Sequence, residues 1–192
     1  KSRIETHLLD GQTIKVFYDP LQPPWRLLMF GAGIDAIPVV QLAKTLGWRV
    51  TVVDHRAVHL QKDRFAQAYQ LLNSLPEHLG EHLVVDQFNA ALLMTHNIEY
   101  DQRYLKAILN SDISFIGLLG PAHRKDRLLH SLGNEAVRIR HRVFGPVGLD
   151  IGAETPEEIA LSIMAGIHAV LSGRIGQILE ARAFKINGVR LD

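Results

Sequence analysis

Short apolar runs that stop at a glycine or a polar cluster recur along the chain. Leu27-Leu28-Met29-Phe30 ends at Gly31, and Val50-Thr51-Val52-Val53 ends at Asp54. Compact runs of this kind, β-branched throughout in the second case, predict buried strands. Ala90 to Thr95 and Ile113 to Leu119 predict two more, residues 68–72 a weaker one, and residues 142–144 a last short one. Between them the apolar spacing lengthens to that of a helix. Residues 35–46 carry Ile37, Val40, Leu42, Ala43 and Leu46 and stop at Gly47. Residues 99–110 carry Tyr104, Leu105, Ile108 and Leu109, and a further helix is predicted over 122–132. The last helix opens at Thr155-Pro156-Glu157-Glu158, a capping box with proline in the first helical position.

Strands alternating with helices predict an α/β fold, a doubly wound parallel sheet of Rossmann-like type. A different pattern precedes it. Residues 4–9 and 13–18 are apolar-rich and flank Asp10-Gly11, which predicts a short N-terminal β-hairpin. Pro20, Pro23 and Pro24 then set the hairpin apart. The expected organisation is a hairpin and linker over 1–22, a Rossmann-like domain over 23–173, and a tail over 174–192. The tail carries Ile175, Ile178, Leu179 and Phe184 among polar residues.

Composition narrows the chemistry. The 192 residues amount to about one domain. Cysteine is absent, which excludes disulfides, thiolate zinc sites, iron–sulfur clusters and a cysteine nucleophile, and fits a reducing, cytoplasmic setting. Lys and Arg number 21 against 20 Asp and Glu, too even a balance for a general nucleic-acid binder. There is no run of about 18 apolar residues, so no membrane span is expected. The chain starts at Lys1-Ser2-Arg3-Ile4, without initiator Met or apolar signal core, and reads as a piece of a longer protein.

In an open parallel sheet, ligands bind beyond the carboxyl ends of the strands. Gly31-Ala32-Gly33-Ile34-Asp35-Ala36 follows the first predicted strand and matches GxGxxA, with Gly33 letting backbone approach a phosphate. Asp54 lies 21 residues after Gly33, where a carboxylate can accept from ribose hydroxyls. That acid favours NAD over NADP, although Arg56 could hold an extra phosphate. Asp35 fits a dinucleotide poorly, because a carboxylate at a helix start repels phosphate. Its first reading is a helix cap; its second is a group facing a ligand that bears donors. His96 and Asn97 follow the 90–95 strand, and Gly120-Pro121 with Arg124 and Lys125 follow the strand that contains Gly117. Asp150 and Gly152 lie in the glycine-rich segment after 142–144.

Other motifs weigh less. Arg138, Arg140 and Arg142, spaced by two, read as the charged face of an edge strand before they read as an anion rail. His78-Leu79-Gly80-Glu81-His82 matches HxxEH, but Gly80 and nearby Pro76 weaken the helix a zinc site would need. No GxxxxGK[ST], GxSxG or Tyr-x-x-x-Lys is present, and no nucleophile–base pair stands out.

The ordered set GAGIDAIP (31–38), TVVDHR (51–56), THN (95–97) with Asp101, GLLGP (117–121) with Arg124, and GPVGLDIGAETPEEIA (145–160) resembles the carboxyl-terminal Rossmann domain of the XdhC/CoxI family. These are accessory factors for xanthine and carbon monoxide dehydrogenases. The likeness covers about residues 24–173. It implies a cytoplasmic chaperone, not a catalyst, that binds molybdenum cofactor (molybdopterin) and delivers it to a xanthine dehydrogenase-type molybdoenzyme. Work beside a cysteine desulfurase and a homodimeric state are further implications. Carried over by position, the cofactor-binding candidates are Gly31, Gly33, Asp35, Asp54, Arg56, His96, Asn97, Gly117, Gly120, Arg124, Asp150 and Gly152, with no catalytic or metal-binding residue. Family members usually carry an amino-terminal domain with a cysteine, and neither is in this sequence. Position 121 is Pro where Ser is common, which removes a backbone donor. Two other functions stay open: an NAD(P)-dependent oxidoreductase that uses the crevice, and a docking or dimerisation scaffold without ligand.

Overall fold

The computed structural model describes residues 2–179. Strands β1 (Arg3–Leu9) and β2 (Gln12–Tyr18) form the expected antiparallel hairpin. Asp10 and Gly11 turn it with φ of 48° and 78°, the paired left-handed geometry that an Asp-Gly turn favours. The main sheet contains β3 (Arg26–Phe30), β4 (Arg49–Asp54), β5 (Gln70–Asn73), β6 (Ala90–Leu93), β7 (Phe115–Leu118) and β8 (Val143–Phe144). All adjacent pairs are parallel, in the order β5-β4-β3-β6-β7-β8. The order reverses between β3 and β6, which makes that boundary the topological switch point where a crevice opens. The doubly wound sheet and the separate hairpin are therefore as the sequence predicts.

The helices are α1 (Ala36–Thr45), the single turn α2 (Leu79–His82), α3 (Ile98–Ala107), α4 (Ala122–Ser131), the single turn α5 (Ala136–Ile139) and α6 (Pro156–Leu171). Leu27, Met29, Val52 and Leu92 face one side of the sheet and pack with Val39, Val40, Ile163 and Ile167 of α1 and α6. Leu28, Phe30, Leu93 and Ile116 face the other side and pack with Tyr104, Leu105, Leu128 and Leu129 of α3 and α4. Successive strand residues point to opposite faces, so a strand covered on both sides needs an unbroken apolar run. That is the physical reason for Leu27-Leu28-Met29-Phe30. The capping box of α6 is complete: Thr155 Oγ1 accepts from the Glu158 amide and the Glu158 carboxylate accepts from the Thr155 amide.

One expectation is corrected. Arg138 lies in α5, and Arg140 and Arg142 lie in a 3₁₀ turn, so the three share no strand face. The strand after them has shrunk to two residues. Arg142 instead donates to the carbonyls of Leu109 and Ile113, at 2.7 and 2.6 Å, and ties the end of α3 to the sheet edge. The HxxEH segment is a 3₁₀ turn followed by one helical turn, in which His78 Nδ1 lies 2.8 Å from Glu81 Oε1. Among the described residues no cluster of three or more His, Asp and Glu could hold a metal, and no helix is long and apolar enough to cross a membrane. Phe184 lies outside the described residues.

Candidate functional site

The switch point is flanked by the loop after β3 and the loop after β6. Gly31 begins the first. Its amide donates to Val53 O at 2.8 Å and its φ is 106°. A Cβ here would stand 2.4 Å from Met94 O, so only glycine lets the two loops pass. Gly33 is different. A Cβ on it would meet only the His96 ring, at 3.7 Å, so its openness serves the crevice and not the packing.

Asp35 occupies the cap position of α1 but makes no side-chain cap hydrogen bond. Its Oδ2 lies 3.1 Å from His96 Nε2, which joins the loop after β3 to the loop after β6. The capping reading of Asp35 is therefore replaced by a carboxylate–imidazole pair between the two loops. His96 sits at φ 58°, a backbone conformation few non-glycine residues adopt, and this aims its ring back toward Gly33.

Asp54 is buried at the end of β4. One oxygen accepts from the Ala32 amide at 2.8 Å and Arg56 Nη2 at 3.0 Å. The other accepts from the Arg56 amide at 2.8 Å and Arg56 Nε at 3.0 Å. Its carboxylate thus brackets the fingerprint loop to the β4 end, and both oxygens are engaged within the protein. Burial pushes its carboxyl up, but the hydrogen bonds from Arg56 and Ala32 outweigh that and hold its pKa below 3.8. Half-buried His55 stacks on Tyr100 with ring centres 3.6 Å apart, and burial lowers its pKa below 6.5, against the pull of Asp54.

Both shifts have the same sign for stability. Asp54 contributes fully above its unfolded pKa, near 3.8, and that contribution is lost as pH falls through its lower folded value. His55 is disfavoured as a cation in the fold, so stability falls as pH drops from 6.5 toward its folded pKa. We expect thermal midpoints to decline in two steps on acidification. His55→Phe, which keeps the stack, should flatten the upper step and leave the lower one. An unchanged upper step in that variant would show that His55 does not cause it.

A second bracket holds the other wall. Asp101, fully buried in α3, accepts from Thr95 Oγ1 at 2.6 Å and from the Thr95 amide at 3.3 Å. Its other oxygen pairs with Arg124 Nη2 at the start of α4. One carboxylate therefore ties the loops after β6 and β7 together. Arg124 Nε is buried without a hydrogen-bond partner among the described residues. The Asn97 side chain accepts from the Glu99 and Tyr100 amides as the cap of α3.

The candidate residues separate on this geometry. Gly31, Gly33, Asp35, His96 and Asn97 lie on the two switch-point loops, while Gly120 and Arg124 flank them after β7. Arg56 adjoins them through Asp54. Gly117 lies inside the sheet, where a Cβ would meet Val147 and Leu92 at 2.5 and 2.6 Å, so it is a packing glycine. Asp150 and Gly152 are exposed on the loop after edge strand β8, and no hydrogen bond joins them to the switch-point loops among the described residues. Thr95 and the bracketing role of Asp101 were not legible, because an acid in the first turn of a helix is ordinary and nothing local shows which donors will meet it.

Chemically, the two loops offer one carboxylate, one imidazole and an open glycine, with the Asp101-paired Arg124 beyond them. This set suits a polar heterocycle with N–H donors and an anionic group. The family model described as the XdhC Rossmann domain matches residues 27–167. A probable xanthine dehydrogenase subunit from Bacillus subtilis is 36% identical over 156 residues, which cover 81% of this chain and 46% of that protein. The Escherichia coli protein YqeB is 32% identical, over 80% of this chain and 29% of its own length. The crystal structure of a xanthine dehydrogenase from Bacillus halodurans superposes with a TM-score of 0.71 at 32% identity, over 86% of this chain and 47% of that one. The chain thus spans half or less of each of these relatives.

Proposed function

Because the chain belongs to the XdhC family through its Rossmann domain, we propose that it is the crevice-bearing part of an accessory factor for a xanthine dehydrogenase-type molybdoenzyme. It binds molybdenum cofactor and passes it to that enzyme. The observation that supports this most is the switch point, where Gly33, with room for a Cβ, lies beside the His96 ring of the Asp35–His96 pair. The residues present fit the group. Asp35 can accept from the amino and amide N–H of a pterin, and Arg124, near the start of α4, is a cation on the phosphate side. When bound, the cofactor supplies the dithiolene that carries molybdenum. The chain's own residues bind and orient it, and two buried carboxylate brackets keep both walls rigid.

Fluorescence titration of molybdopterin against the purified chain tests the reading. Saturable binding is expected, and Gly33→Val should weaken it by about tenfold or more by filling the open turn. The fold should survive that change, since the nearest neighbour of a Cβ is a mobile side chain at ordinary contact distance. Absence of binding, or equal binding by Gly33→Val, would remove the crevice as the cofactor site.

A further inference from the structure

In a dinucleotide-binding turn, the second glycine lets backbone approach the diphosphate, which then rests on the start of the following helix. Here this chain's own side chains border both places. The edge of the His96 ring lies 3.7 Å from where a Cβ on Gly33 would stand, so the imidazole borders the open glycine on one side. The Asp35 carboxylate, freed from capping α1, sits at the helix start and is held at 3.1 Å by His96 Nε2. Neither group is closed off: the His96 side chain is 57% exposed and that of Asp35 28%. Asp54, which would meet a ribose diol in such a site, has both oxygens engaged by Ala32 and Arg56.

We propose that Asp35, positioned by His96, is a specificity determinant that closes the glycine turn to diphosphates and makes it a reader of N–H donors on a heterocycle. The carboxylate repels a phosphate at the place where the fold would otherwise attract one. The same carboxylate accepts hydrogen bonds from an amino or amide edge, and a second acceptor of equal charge is not needed. The pair therefore discriminates in two ways, by rejecting one ligand class and rewarding another. It sets the ligand's orientation, with the N–H edge on α1 and its anionic end away from the glycine turn. This rests on the reading of the crevice as a ligand site, and it names which chemistry that crevice accepts.

The test compares the full chain with Asp35→Asn, which keeps the side-chain shape and removes the charge, and with Asp35→Asn/His96→Gly. Glycine adopts the backbone conformation of position 96 without strain, so the double variant clears the His96 side of Gly33 while sparing the fold. The probes are NADH and ADP for the diphosphate class and molybdopterin for the donor-bearing heterocycle. Asp35→Asn should gain about tenfold in affinity for NADH and ADP, and the double variant should gain more. Molybdopterin affinity should move the opposite way, falling by about tenfold in Asp35→Asn. A merely structural role would move both classes together. The proposal is overturned if the unmodified chain binds NADH or ADP as well as Asp35→Asn does, or if neither variant gains. Loss of the whole cofactor reading would look different: the unmodified chain would fail to bind molybdopterin, whatever Asp35→Asn does with ADP.

Discussion

Gly31→Ala should destabilise the fold by about 2–6 kcal/mol. Two costs add. An alanine at φ 106° is forced into a backbone region that L residues avoid, at about 1–3 kcal/mol. Its Cβ would also stand 2.4 Å from Met94 O and 2.6 Å from Met94 C, both backbone atoms of the neighbouring loop. No rotamer change relieves a clash between backbone atoms, so β3 and β6 must part where the crevice begins. Overpacking of that kind costs about 1–3 kcal/mol more. Urea denaturation should show a lower midpoint with an unchanged slope. A loss under about 1 kcal/mol would mean that the two loops are less closely apposed than described.

Asp101→Ala should cost about as much, by a different route. The carboxylate is fully buried, and its removal leaves the Arg124 guanidinium, itself largely buried, without its partner. It also leaves the Thr95 amide unmatched, while the Thr95 hydroxyl keeps the Asn97 carbonyl as acceptor at 2.9 Å. Breaking a buried pair from one side costs about 3–5 kcal/mol, mostly through the charge that remains. Removing both partners should cost less than the sum of the single changes. Asp101→Ala/Arg124→Met is therefore expected to recover about half of the loss, measured as a double-mutant cycle in urea. Strict additivity would show that the two side chains do not act as a pair.

Much of the architecture is legible in the residues themselves. A strand buried on both faces must be apolar at every position, and Leu27 to Phe30 is. A tight hairpin needs two left-handed residues, and Asp10-Gly11 supplies them. The α6 start is legible because its capping box involves only residues three apart. Roles that depend on distant partners are harder. Asp54 and Asp35 are both acids at the ends of fold elements, and their positions in the sequence assign the ligand to Asp54 and the helix cap first to Asp35. The structure turns Asp54 inward, because Arg56 and the Ala32 amide converge on it, and turns Asp35 across the crevice to His96. Arg56 is two residues from Asp54 but reads in the sequence as a holder of phosphate, while Ala32 and His96 stand 22 and 61 residues from the acids they meet. The arginine series at 138–142 misleads for a related reason. A spacing of two shares a face only on a strand, and here the chain is still turning through α5 and a 3₁₀ turn.

On the proposed function, ligand binds between the loops after β3 and β6. Backbone amide shift mapping of the isotope-labelled chain, titrated with molybdopterin, addresses it directly. The largest perturbations are expected on Gly31 to Asp35, Thr95 to Asn97, and Gly120 to Arg124, while the hairpin and the β8–α6 loop stay unmoved. Perturbations centred on the hairpin or on Asp150 and Gly152, or none at saturating ligand, would contradict it.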